Sequence, residues 1–279
     1  MFWTKLIHRF RNLPVSIRYR IKLHAHDTEK TKSVLLEEQD GFFRKFDFDR
    51  QAALDKIDSV CKEVFGYGYA ENKGMFSEHL VLFAAISLSN KRINDILEIG
   101  TYNGLTSVIL SKLFPSAQIV TIDLPVSDEF FISSYRRGSS AKEFAQQRDA
   151  VIEQCSNVKF FPLNSVNLSK WNADQFDLIW VDGAHGYPIV AVDLVNSYRM
   201  ARKGAYVLTD DIRPFVTARH KGEADEKHSN KASFEVLNEF VRSELISDFT
   251  LFLKRVGPKF NIQGYTQKYV GLFIKELGG

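Results

Sequence analysis

The 279-residue chain is short of cysteine: Cys61 and Cys155 are its only two, far apart and matching no metal-binding or redox spacing. They read as incidental thiols in a reducing compartment. It lacks any apolar run long enough to cross a bilayer as a helix. It also lacks a strong charge imbalance. A net charge of +3 does not by itself imply nucleic-acid binding. There is no internal repeat and no low-complexity segment. Acidic residues are missing before Asp27, whereas Lys5, Arg9, Arg11, Arg18, Arg20 and Lys22 are all present there. These charges break any signal-peptide core, so a cytoplasmic location is expected. Phe2, Trp3, Leu6, Ile7 and Phe10 fit one face of a helix that Pro14 should stop. Two readings of residues 1–23 stand: a basic segment resting on the inner face of an anionic membrane, or a helix packed on the domain or on a second subunit of a homo-oligomer.

What is present suits one large α/β domain with a helical amino-terminal extension, divided as 1–70 and 71–279. Residues 24–50 read as a connector with a short helix. Helical periodicity marks Gln51–Val64, Ser77–Ser89, Thr106–Leu113, Ala141–Gln154, Ile189–Ala201 and Ser233–Val241. Between them lie apolar runs that suit buried parallel strands: Ile96–Ile99, Ile119–Ile122, Val158–Phe161, Leu178–Val181 and Ala205–Leu208. Phe249–Arg255 and Lys268–Lys275 read as a closing antiparallel pair. The expected fold is a doubly wound, Rossmann-like, seven-stranded sheet, with ligands at the carboxyl ends of the parallel strands.

The chain is organised around Ile96–Ser107, Ile-Leu-Glu-Ile-Gly-Thr-Tyr-Asn-Gly-Leu-Thr-Ser, a strand, a Gly-x-x-x-Gly turn and a helix start. Gly100 and Gly104 would let the backbone approach a ligand closely. A dinucleotide fingerprint needs a middle glycine so that a pyrophosphate can press on the helix, and Tyr102 stands there instead. Asp123, ending the second strand, could accept ribose hydroxyls from either a dinucleotide or S-adenosylmethionine. The turn favours the latter.

Glu-Ile-Gly-Thr-Tyr-Asn-Gly-Leu-Thr-Ser resembles the first motif of class I S-adenosylmethionine-dependent methyltransferases, in the variant of catechol O-methyltransferase-like enzymes. The resemblance covers roughly Gly74 to Leu277. It implies that Glu98, Gly100, Thr101, Tyr102, Asn103 and Gly104 surround the methionine part of the cofactor, that Asp123 binds ribose, and that Asn164 and Ser165 approach the adenine. Residues 73–77 resemble the family's loop over the cofactor. On the residues alone, Asn164 and Ser165 read equally well as a helix cap.

Two later segments carry chemistry: Asp182-Gly-Ala-His185-Gly-Tyr187 after the fourth strand and Asp210-Asp211-Ile212 after the fifth. Neighbouring strands lie about 4.8 Å apart, so Asp182, Asp210 and Asp211 should meet at one rim. Three carboxylates there need a positive partner, and a divalent cation, Mg²⁺ first, then Mn²⁺ or Ca²⁺, is the expected one. Metal-dependent catechol-type enzymes carry Asp, then Asp-Asn, with a catalytic Lys three residues after the first Asp. Here Asp211 replaces the Asn and His185 the Lys. His185 reads as the general base beside Asp182 or as a fourth metal ligand. Asp-Gly-x-His-x-Tyr followed by Asp-Asp-Ile is similar to a bacterial branch that acts on sugars and other small molecules. The bland alternatives are that Asp182 makes only a cofactor or turn hydrogen bond, that one of Asp210 and Asp211 caps a loop, and that His185 only orients Asp182.

Substrate should lie under two insertions, Val126–Ser140 and Arg213–Lys231. Their Arg136, Arg137, Arg219, His220, Lys221 and His228 suit an anionic group on a small molecule or glycan precursor. The resulting expectation is an S-adenosylmethionine-dependent, metal-assisted O-methyltransferase that does not bind nucleic acid. The rivals are a metal-independent methyltransferase using His185 alone, an NAD(P)-dependent oxidoreductase, and a non-catalytic scaffold at the membrane.

Overall fold

A computed structural model describes residues 29–71, 73–214, 231–256 and 268–276. The segment 1–23 and the basic positions Arg219, His220, Lys221 and His228 lie outside the described residues. Among the described residues no helix is long and apolar enough to cross a membrane.

Three helices lead in: α1 (Glu29–Arg44), α2 (Arg50–Phe65) and α3 (Glu78–Leu88). Then follow β1 (Asp95–Ile99), α4 (Leu105–Leu113), β2 (Gln118–Asp123), α5 (Glu129–Ser133), α6 (Ala141–Ile152), β3 (Val158–Pro162), β4 (Phe176–Val181), α7 (Ile189–Met200), β5 (Ala201–Ile212), α8 (Lys231–Arg242), β6 (Thr250–Leu253) and β7 (Tyr269–Ile274). The seven strands form one sheet in the order β3-β2-β1-β4-β5-β7-β6. β1 to β5 pair in parallel, while β7 runs antiparallel to both neighbours. This is the Rossmann-like, seven-stranded arrangement expected from the sequence, five parallel strands closed by an antiparallel pair. The order reverses between β1 and β4, which opens a crevice at their carboxyl ends.

Alternation along the strands builds the core. On β1, Ile96 joins the cluster under α2, α3 and α4, while Leu97 and Ile99 join the cluster under α7 and α8. The run 24–50, expected as a connector with a short helix, contains the 16-residue α1. Its Phe43 is fully buried and meets Phe252 of β6 edge-on at 5.2 Å. Gln39 hydrogen-bonds Leu253 both ways, its amide donating to the Leu253 carbonyl (2.9 Å) and its side-chain oxygen accepting from the Leu253 N–H (3.0 Å). A side chain of α1 thus occupies part of the exposed edge of the sheet. In the same cluster Arg50 donates to both carboxylate oxygens of buried Glu78, at 2.6 and 3.1 Å, and so ties α2 to α3. The helices before residue 70 therefore share a core with the sheet.

Candidate active site

The turn after β1 is held mainly by backbone. Gly100 and Thr101 N–H groups both donate to the Ile122 carbonyl, at 2.9 and 3.2 Å. Gly100 has φ +101°, and a Cβ placed there would lie 2.3 Å from the Asp182 carbonyl oxygen. A close approach that demands glycine is thus to the end of β4. Gly104, φ +80°, is likewise pressed against Ile152 of α6. Tyr102 takes φ +49° and donates its N–H to Asp123 Oδ2 at 2.9 Å. Asp123 Oδ1 accepts from Leu124 N–H at 2.8 Å, so its carboxylate clamps the turn while each oxygen keeps a free lone pair. Burial raises the Asp123 pKa against those two donors. The Tyr102 N–H is committed to Asp123, which leaves it unavailable to a pyrophosphate.

Glu98 is fully buried. Its Oε2 accepts from the Ser107 hydroxyl at the start of α4, and its Oε1 has no hydrogen-bond partner among the described residues. Burial pushes its pKa up to about 7, against the bonded Ser107 hydroxyl and the nearby Thr121 hydroxyl, which pairs with Thr101. An orphaned carboxylate oxygen under the turn is what a cationic ligand group would complete. Other residues of the expected set are engaged within the protein. Thr101 shares a hydrogen bond with Thr121 (2.6 Å), Asn103 accepts from Leu105 N–H (3.2 Å), and Asn164 accepts from Val166 N–H (3.0 Å). Ser165 accepts at its carbonyl from Asn196 (3.3 Å). Asn164 thus caps the short helical turn Ser165–Lys170, one of the two readings its sequence allowed.

The insertion after β2 folds over the turn. Tyr102 packs against Tyr135 (4.9 Å between centroids) and Phe144 (5.3 Å). The Arg137 guanidinium stands 4.1 Å from the Phe131 ring and 4.3 Å from Phe144, and donates to the Phe131 carbonyl at 3.1 Å. It is buried, so the expectation that Arg137 reaches an anionic substrate is corrected: this aromatic box consumes it. Tyr135, three-quarters exposed, is the aromatic left at the mouth of the crevice.

Asp182, Asp210 and Asp211 do converge. In a regular strand, consecutive side chains face opposite ways. β5 breaks its register with β7 between Thr209 and Ile212, and Asp211 takes φ +56°. This bulge aims both Asp210 and Asp211 at a single cation. That cation is Lys254, immediately after β6, whose ammonium donates to Asp210 Oδ2 and, at 2.6 Å, to Asp211 Oδ1. Lys268, just before β7, donates to Asp211 Oδ2. Burial favours neutral carboxyls here, but the Lys254 ammonium outweighs it and holds Asp210 and Asp211 below the ordinary range. Burial and the Asp210 charge push Asp182 well up. His185 Nε2 lies 3.7 Å from Asp182 Oδ1 and 3.9 Å from Asp211 Oδ2. Burial lowers its pKa, against the raising effect of Asp211, so the ring is neutral near pH 7.

These residues do not fit the divalent cation expected from the sequence. The carboxylate oxygens that would hold it face an ammonium instead, and among the described residues no three His, Cys, Asp or Glu side chains are grouped to hold a metal. Sequence reasoning missed Lys254 and Lys268. The available signal was Lys254 directly after the apolar run Thr250-Leu-Phe-Leu, where a charge that becomes buried needs a partner.

Residues 97–212 match the family model described as a methyltransferase domain, spanning β1 to β5 and all the site residues named above except the two lysines. No curated protein matches the sequence. The fold is similar to that of an O-methyltransferase family protein from Burkholderia thailandensis, at 10% identity over 82% of this chain and 60% of that one, TM-score 0.47. It is similar to the O-methyltransferase TomG from Streptomyces achromogenes, involved in tomaymycin synthesis and solved with S-adenosylmethionine, at 16% identity over 85% and 95%, TM-score 0.45. A cofactor-bound MTB protein gives 16% identity over 95% and 100%, TM-score 0.47.

Proposed function

We propose that this chain, whose residues 97–212 match a model described as a methyltransferase domain, moves a methyl group from S-adenosylmethionine to a hydroxyl of a small molecule or glycan precursor. The observation that carries the reading is that Gly100 lies against the Asp182 backbone, so the turn under the donor and the His185 rim form a single crevice. S-adenosylmethionine, when bound, supplies an electrophilic methyl group. Asp123 would hold its ribose hydroxyls and Glu98 its ammonium. Neutral His185 takes the proton of the acceptor hydroxyl as the oxygen becomes a nucleophile, and the flanking Asp182 and Asp211 carboxyls stabilise the imidazolium that forms. Holding both reactants in one crevice contributes as much as the base does.

A thermal-shift comparison on the full chain tests this. S-adenosylhomocysteine in large excess should stabilise by about 2–3 kcal/mol, a rise of several degrees, whereas NAD(P) should not. Stabilisation by NAD(P) alone would overturn the reading.

Glu98 gives a second expected result. Its carboxyl, raised to about 7 without ligand, must ionise to face an ammonium. S-adenosylhomocysteine affinity should therefore fall by up to about tenfold per unit as pH drops below about 7, and level off above it. Glu98→Gln should flatten the profile. A wild-type profile flat from slightly acid to slightly alkaline pH, or an equal slope in Glu98→Gln, would count against this role.

A further inference from the structure

We propose that Lys254 is a built-in counter-ion standing where a divalent cation would stand, so that the carboxylate rim is a cation site closed by the chain's own ammonium and opened by removing it. This rests on reading the rim as the acceptor side of the methyl-transfer crevice. The evidence is geometric. Asp182, Asp210 and Asp211 come from the ends of two adjacent parallel strands, and the left-handed backbone of Asp211 turns two consecutive carboxylates toward one point. The Lys254 ammonium occupies that point, touching one oxygen of each.

Lys254 does not behave as a surface lysine that a metal could push aside. It is 5% exposed. Its N–H donates to the Lys268 carbonyl and its carbonyl accepts from the Glu78 N–H, both at 3.0 Å, so its backbone is pinned between β7 and the start of α3. Lys268 adds a second ammonium on the far oxygen of Asp211. Two ammonium groups thus balance the two carboxylates of Asp210 and Asp211, leaving little net negative charge to attract a dication. An incoming dication would have to displace a buried ion pair and leave an ammonium without its partners, which is strongly unfavourable. In this arrangement Lys254 is a positioning residue: it fixes Asp210 and Asp211, and Asp211 in turn flanks the His185 ring.

The experiment is Mn²⁺ titration by electron paramagnetic resonance of the full chain near neutral pH, comparing wild type with Lys254→Ala and Lys254→Gln. Wild type should show no stoichiometric binding up to ~1 mM Mn²⁺, whereas each variant should bind one Mn²⁺ at least about tenfold more tightly. Adding Asp210→Asn to either variant should abolish the gain. A variant unfolded without Mn²⁺ but regaining its cooperative melting transition with Mn²⁺ supports the proposal, and one that Mn²⁺ fails to rescue counts against it. Stoichiometric Mn²⁺ binding by wild type, or no gain in the variants, overturns it. Failure of the methyl-transfer reading would appear separately, as absent S-adenosylhomocysteine binding, which this titration does not read.

Discussion

Replacing His185 with Gln should lower methyl transfer by about two to four orders of magnitude, the range for loss of a positioned general base. S-adenosylhomocysteine affinity should stay within about threefold of wild type, since His185 sits on the rim side of the crevice and a glutamine keeps a polar side chain there. Single-turnover transfer of labelled methyl to an acceptor found by screening hydroxylated small molecules measures the first quantity, and calorimetry the second. The pH profile separates a base from a structural histidine. Burial depresses the His185 pKa, so the acid limb of activity should lie below the ordinary imidazole value of about 6.5 and vanish in the variant. The same depression sets the sign for stability. The unfolded chain takes up a proton below about 6.5 before the folded protein does, so this group's contribution to stability is lost as pH falls through that value. A variant that retains the acid limb and most of the rate would leave His185 with a structural role only.

Replacing Gly100 with Ala should be the most damaging single change to the turn. Two costs add. An alanine at φ +101° carries backbone strain, and its Cβ would sit 2.3 Å from the Asp182 carbonyl oxygen and 2.9 Å from the Gly183 nitrogen, both backbone atoms that cannot rotate away. Gly66 offers an internal control. It ends α2 at φ +73°, with nothing within 4 Å of an added Cβ. Gly66→Ala should therefore cost about 1 kcal/mol from conformation alone. Gly100→Ala should add an overpacking cost of about 1–3 kcal/mol and shift the Asp182 end of β4. Urea denaturation reads the difference in stability, and S-adenosylhomocysteine binding should be lost in Gly100→Ala while Gly66→Ala keeps it. Equal costs at the two glycines would show that β4 does not press on this turn.

Much of the fold was legible because the central strands are buried on both faces. Ile96–Ile99, Ile119–Ile122 and Leu178–Val181 are apolar runs for that reason, and they lie within β1, β2 and β4. Edges and appendages were harder to read. β5 begins at Ala201, four residues before the apolar run starts, because Arg202 and Lys203 extend past the buried part of the sheet. α1 was concealed by its charged positions, although Gln39 and Phe43 fasten it to β6. In the site, the need for a cation among three carboxylates followed from charge alone. Its identity did not. Lys254 lies 43 and 44 residues from its two partners, and spacing in one sequence cannot show which cation a strand crossing will deliver. Arg137 misled for a related reason: its charge suggests a ligand, whereas four aromatic rings close around it. The glycines of the turn were legible as positions needing space, and the space turned out to be taken up by the Asp182 backbone and Ile152.

The central claim is that the crevice between β1 and β4 holds a methyl donor, with its ribose on Asp123. Isothermal titration of the full chain with S-adenosylhomocysteine tests it most directly. The expected result is one site per chain with affinity in the ~1–100 μM range, weakened at least about tenfold in Asp123→Ala, which removes two charge-assisted hydrogen bonds. No binding at ~1 mM ligand, or binding that Asp123→Ala leaves unchanged, would contradict it.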